Sequence, residues 1–97
     1  MPVASVVVYS TNYCPFCDRA KALLRKKGVS FQEVNVEDRP DLRSWLVERT
    51  RQRTVPQVFI NGQAVGGFVD LAALDRAGTL DGLLERAPGE QDPRTLD

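Results

Sequence analysis

An α/β domain, with a mixed sheet covered by helices, is predicted by three features of this sequence. Its apolar segments come in the order strand, helix, strand, helix, hairpin, helices, which is the pattern of a sheet layered with helices. Asn61-Gly62 stands between two short apolar runs and supplies the two positive φ angles of a type I′ hairpin turn. Gly28 and the stretch Asp38, Arg39 and Pro40 fall where helices and strands must be interrupted.

The elements follow in order. Val3 to Tyr9 is Val-rich without clear alternation, which predicts a strand buried on both faces. After the polar turn Ser10 to Asn12, Pro15 to Lys27 carries Ala20, Leu23 and Leu24 at helical spacing, with basic residues at the far end, where they complement the helix dipole. Phe31, Val34 and Val36 predict a second, half-exposed strand. Asp41 to Arg49 places Leu42, Trp45 and Leu46 on one helical face, so Trp45 is expected to anchor a core. Val58 to Ile60 and Gln63 to Val65 are the two arms of the hairpin. Gly66-Gly67 leads into a short helix over Val69 to Ala77, and Leu80, Leu83 and Leu84 predict another. Residues 1–87 are thus expected to form one domain, and Pro88 to Asp97, almost devoid of apolar side chains, a disordered tail.

Thirteen basic residues balance thirteen acidic ones among the 97. No net field draws such a chain to nucleic acid or to an anionic membrane. The N-terminal apolar stretch is short and lacks a basic lead-in, which predicts neither an export signal nor a membrane span and so a cytoplasmic protein. Two cysteines in such a compartment are expected to be reduced thiols.

Both cysteines lie in Tyr13-Cys14-Pro15-Phe16-Cys17. A zinc site needs four ligands, and two Cys with no His do not supply them within one chain. A structural disulfide would close a loop too short to constrain the unfolded chain much. A redox pair fits better. Cys14 precedes a helix whose first position suits Pro15, and the free amides of Phe16 and Cys17 are expected to face its sulfur. Helix pole and amides both favour thiolate over thiol. Cys17, one turn on, stands within reach.

With these residues in view, the chain resembles a glutaredoxin of the dithiol class. Three separated motifs carry the likeness: YCPFC at 13–17, QRTVPQVFING at 52–62 and GGFVDL at 66–71. The resemblance extends from Val3 to about Arg86. It implies a thioredoxin fold with a four-stranded mixed sheet flanked by helices, and a glutathione-dependent thiol–disulfide oxidoreductase. By the same resemblance Cys14 is the nucleophile and Cys17 the resolving thiol. Pro56 is expected to be cis and Val55 to offer its backbone to glutathione, with Thr54 and Pro56 also in the binding site. Gly67 would lead into the ligand site, the amides of Phe68 and Val69 would take the γ-glutamyl carboxylate of glutathione, and Asp70 would take its ammonium. On residue preference alone, Asp70 also reads as a helix N-cap. Thr11 and Tyr13 would flank the ligand, while Arg43 and Arg53 stand near its glycine end.

The resemblance further implies no tightly bound cofactor and no metal, with glutathione as co-substrate. The expected partners are disulfide-bonded or glutathionylated proteins, ribonucleotide reductase among the candidates, approached by a monomer. Three positions depart from the family pattern. Thr11 replaces a usual lysine, Val69 stands where Asp or Ser is common, and Asp18 puts a negative charge next to Cys17. Two rivals remain at this point: a ribonucleotide-reductase redoxin reduced by thioredoxin reductase, and a carrier of a glutathione-ligated [2Fe-2S] cluster. GGFVDL argues against the first and Pro15 against the second.

Overall fold

In the computed structural model, which describes residues 3–87, the chain runs through β1 (Val6–Ser10), α1 (Pro15–Lys26), β2 (Gln32–Asn35), α2 (Pro40–Thr50), β3 (Gln57–Ile60), β4 (Gln63–Gly66), α3 (Phe68–Arg76) and α4 (Leu80–Leu84). The tail expected from Pro88 lies outside the described residues. The four strands form one sheet in the order β2-β1-β3-β4. β1 and β2 are parallel, joined through α1, whereas β1 with β3 and β3 with β4 are antiparallel. The mixed sheet flanked by helices is therefore present as the sequence predicts.

The two central strands explain why helices must cover both faces. Val6 and Val8 of β1, with Val58 and Ile60 of β3, pack against Ala20 and Leu24 of α1, Leu71 of α3, and Leu80 and Leu84 of α4. The alternate residues Val7, Tyr9 and Phe59 face the opposite side, where they meet Leu42, Trp45 and Leu46 of α2 together with Val36. Trp45 anchors this second cluster, its ring stacked on Phe59 at 5.7 Å and tilted against Tyr9 at the same separation. Burial also pushes the Tyr9 hydroxyl above its ordinary pKa, and the nearby Arg49 charge opposes that shift.

Boundaries differ from the sequence reading for local reasons. β1 begins at Val6 because the amides of Val3 and Ala4 both donate to the Leu84 carbonyl, tying the N-terminus to α4. β2 excludes Phe31 and Val36, although the Val36 amide still donates to Ser10 at 2.8 Å. α2 runs to Thr50 and is closed by Arg51 in the left-handed region, φ 62°. The hairpin turn has Asn61 at φ 52° and Gly62 at φ 81°, as the dipeptide requires. One extra residue in β4, between Ala64 and Gly66, forms a bulge opposite Val58 and Phe59.

One polar connection crosses from sheet to helix. The buried Ser10 hydroxyl donates to Glu33 Oε2 at 2.7 Å, and Lys21 Nζ of α1 donates to the same oxygen at 2.9 Å. The Lys21 bond, then that of Ser10, holds the Glu33 carboxyl below its ordinary value of 4.5. A carboxylate whose folded pKa is depressed stabilises the fold above 4.5 and loses that contribution as pH falls through the folded value. Glu33→Gln should therefore lower the melting temperature at pH 7 while flattening its decline below pH 4.5. Thermal melts across pH 3–7 check this, and parallel curves for variant and wild type would contradict it.

Candidate active site

Three stretches distant in sequence arrive at one edge of the sheet. β1 ends there and leads to Cys14, β3 starts there immediately after Val55-Pro56, and β4 ends there before Gly66-Gly67. The Val55-Pro56 bond is cis, as the resemblance implied. Cys14 caps α1 with extended backbone at φ −150°, and Pro15 occupies the first turn. The Cys17 amide donates to Cys14 Sγ at 3.0 Å; of the two amides expected to face the sulfur, it is the one that makes the bond.

Cys14 and Cys17 are joined as a disulfide. Their surroundings are unequal. Cys14 is half-buried, with its sulfur 3.8 Å from the Val55 carbonyl oxygen, whereas Cys17 is 1% exposed. Asp18, the next residue, is open to solvent and lies 3.6 Å from Lys21, so water and a cation both weaken its field at the sulfurs.

Beside this pair lies a groove of about 200 Å³, lined by Phe16, Gln52, Thr54, Val55, Pro56, Gly67, Phe68, Val69 and Asp70. Gly67 is the N-cap of α3. Asp70 stands in the third helical position rather than at the cap, and its Oδ2 accepts the Gly67 amide at 3.0 Å. Gly66 has φ 112°, and a side chain there would run into the Asp70 carboxylate. Gly67 is close-packed too, since an added Cβ would stand 3.3 Å from the Pro56 carbonyl oxygen. Close approach thus requires glycine at 66 and leaves little room for a side chain at 67.

Arg43 and Arg53 line a neighbouring hollow of about 480 Å³ that shares Gln52, Thr54 and Val55 with the groove. Thr11 and Tyr13 are in the loop before Cys14 and line neither; Thr11 is half-buried and Tyr13 is 87% exposed. Sequence reasoning passed over four residues. Phe16, between the cysteines, forms a wall of the groove, with its ring 6.3 Å from that of Phe68. Gln52 joins groove and hollow. Asn12 fastens the loop before Cys14: its amide donates to Glu37 at 3.2 Å and its side-chain oxygen accepts from Asn35 at 2.9 Å. Gln57, a polar residue in an otherwise apolar strand, was the one legible signal among them.

An outer sulfur open to a partner and an inner one shielded until it is needed are what two-step disulfide exchange demands. The chain is therefore a thiol–disulfide oxidoreductase built on the thioredoxin fold. The family model described as Glutaredoxin matches residues 6–65. The chain belongs to the glutaredoxin family, whose members are glutathione-dependent disulfide oxidoreductases with glutathione as co-substrate, and its activity is theirs.

The glutaredoxin of Pseudomonas aeruginosa is 52% identical over 79 residues, covering 81% of this chain and 94% of that one. Glutaredoxin 3 of Escherichia coli is 48% identical over 83 residues, covering 86% of this chain and all of its own. Among solved structures, the glutaredoxin of Brucella melitensis superimposes with a TM-score of 0.79 at 41% identity, over 95% of this chain and 98% of that one. A buckwheat glutaredoxin–glutathione complex does so with a TM-score of 0.78 at 34% identity, over 84% of this chain and 76% of its own.

Unequal burial predicts unequal mutants. Cys14→Ser should abolish all activity, because a serine hydroxyl is not ionised at neutral pH and forms no mixed disulfide. Cys17→Ser should keep reduction of glutathione mixed disulfides and lose most reduction of protein disulfides, which requires a resolving thiol. Assays of both variants on both substrate types check this; equal losses on a glutathionylated substrate would show that the sulfurs are interchangeable.

Proposed function

We propose that glutathione lies in the groove beside Cys14, extended along Val55, with its γ-glutamyl end at the start of α3 and its glycine end toward Arg43 and Arg53. The observation that carries this reading is convergence: Thr54, Val55, Pro56, Gly67, Phe68, Val69 and Asp70 line one groove next to the sulfur. In it the Val55 backbone pairs with the tripeptide as a strand would. The amides of Phe68 and Val69, unpaired at a helix start, donate to the γ-glutamyl carboxylate. Asp70 keeps the Gly67 amide on one oxygen and offers the charge of the other to the ammonium. Arg43 and Arg53 attract the glycine carboxylate through the adjoining hollow, and Thr11 and Tyr13 close over the ligand from the loop before Cys14.

The chemistry follows from the unequal sulfurs. Cys14 thiolate attacks the glutathione sulfur of a mixed disulfide, forming Cys14–S–S–glutathione and expelling the protein thiolate. A second glutathione thiolate attacks the bound glutathione sulfur, releasing oxidised glutathione and restoring Cys14. With a protein disulfide, Cys14 thiolate attacks one sulfur and expels the other as a thiolate; Cys17 then attacks Cys14 Sγ of this mixed disulfide, frees the reduced protein and leaves the Cys14–Cys17 bond, which two glutathiones then reduce. Two electrons pass in each cycle.

Further parts of the reading concern the chain as a whole. On this reading the chain acts as a monomer, and disulfide-bonded or glutathionylated proteins, ribonucleotide reductase among them, are its substrates in the cytoplasm. No helix among the described residues is long and apolar enough to cross a membrane. Residues 1–87 carry the activity, so deleting 88–97 should leave melting temperature and turnover unchanged. A drop of several degrees would place the domain boundary further on.

Asp70→Asn tests the ligand site directly, because it keeps an oxygen for the Gly67 amide while removing the charge. Losing a charge-assisted contact costs about 1.5–3 kcal/mol, so KM for a glutathionylated substrate should rise roughly tenfold to a hundredfold with little change in melting temperature. Gly66→Ala, which drives a side chain into that carboxylate, should raise KM as well and also destabilise, by about 1–3 kcal/mol for the strained backbone. An unchanged KM in a folded Asp70→Asn protein would remove Asp70 from the site.

A further inference from the structure

We infer that Gln57 is a positioning residue for glutathione recognition, acting through the backbone of Thr54 and Val55; this rests on the ligand site proposed above. Gln57 opens β3, directly after the cis Val55-Pro56 bond, and is fully buried among apolar strand residues. Its Nε2 donates to the Thr54 carbonyl at 2.9 Å and to Gln52 Oε1 at 3.0 Å, with the Thr54 hydroxyl oxygen at 3.4 Å. All three acceptors belong to the short loop between α2 and β3, which has no ladder partner of its own. At the other end of that loop Thr50 Oγ1 accepts the Gln52 amide at 3.1 Å and donates to Leu46 at 2.7 Å. The loop is therefore clamped at both ends by side chains.

Fixing the Thr54 carbonyl fixes the plane of the Thr54–Val55 peptide, and with it the direction of the amide of Val55, the residue whose carbonyl oxygen lies 3.8 Å from Cys14 Sγ. That amide is the group on which a bound tripeptide would pair. Gln57 Oε1 accepts no hydrogen bond from the described residues, so the side chain's polar contacts are those its Nε2 makes to the loop. What the glutamine supplies that an apolar residue lacks is the pair of N–H donors aimed at the loop. Gln57 thus connects the rigid sheet to the backbone edge that meets the ligand, without touching the ligand.

The test uses Gln57→Met, which preserves volume and removes the donors, and Gln52→Ala, an exposed change that removes one acceptor and leaves the core intact. Amide hydrogen exchange of the ligand-free protein reads the loop, and steady-state kinetics on the mixed disulfide of glutathione and cysteine read its use. In Gln57→Met, exchange at the Gln52 amide, which is bonded to Thr50 Oγ1, should quicken at least about tenfold, while the amides of β1 and β3 keep their protection. KM should rise about tenfold with kcat within about twofold, and limiting alkylation of Cys14 should proceed at the wild-type rate. Gln52→Ala should show the same pattern at a fraction of the size, which tests the clamp even if Gln57→Met does not fold. Unchanged loop exchange in these variants would overturn the positioning role. Faster exchange with KM unchanged would instead overturn the placement of glutathione along Thr54 and Val55, so the two failures are distinguishable.

Discussion

Burial of β1 and β3 on both faces is the constraint from which the site follows. Alternate residues of each strand feed two separate clusters, so neither face of the pair is free to meet water and helices are needed on both sides. Parallel pairing of β1 with β2 then requires α1 as the crossover, and the crossover begins at the end of β1. Antiparallel pairing brings the start of β3 and the end of β4 to that same edge, since Tyr9 lies opposite Gln57 and Val58 opposite Gly66. Cys14, Val55-Pro56 and Gly66-Gly67 meet because three strand ends do.

At that edge, charge is managed mainly by backbone. The start of α1 and the Cys17 amide favour negative sulfur at Cys14, and the start of α3 presents amides to the groove. Side-chain charges stand further off. Thr11 brings no cation, Asp18 is solvated and close to Lys21, and the two arginines line the adjoining hollow rather than the groove beside the sulfur. A site organised by helix ends and strand edges is less sensitive to ionic strength than one organised by exposed ion pairs. It depends instead on backbone being held in place, by the Asp70 carboxylate at Gly67, by Asn12 against Glu37 and Asn35, and by Gln57 against Thr54.

Rigidity and access are divided between the two sulfurs as well. Cys17 belongs to the packed side of α1 with Ala20 and Leu24, which holds it still and dry. Cys14 sits on the rim, where Phe16 and Phe68 form one apolar wall and Tyr13 projects into solvent. A disulfide substrate can reach the outer sulfur without disturbing the core, and the inner sulfur stands within bonding distance of it.

Much of this was legible in the sequence because it depends on local physical preferences. Valine-rich strands, Gly28 after a helix, Asn-Gly in a hairpin and Pro15 at a helix start each follow from the backbone conformations those residues favour. Cys14-Pro15-Phe16-Cys17 likewise contains its own geometry, since a helix start places the second cysteine one turn from the first. The motifs QRTVPQVFING and GGFVDL could be matched to a family, yet nothing local in them says that they adjoin the sulfur. Strand order and register decided that. Tertiary structure alone also placed Asp70 third in α3 with Gly67 as its cap, set Arg43 and Arg53 in an adjoining hollow, and turned Gln57 from a misplaced polar residue into a clamp on the loop before Val55. These are contacts between segments, and their energies come from burial and hydrogen bonds that exist only once the sheet has assembled.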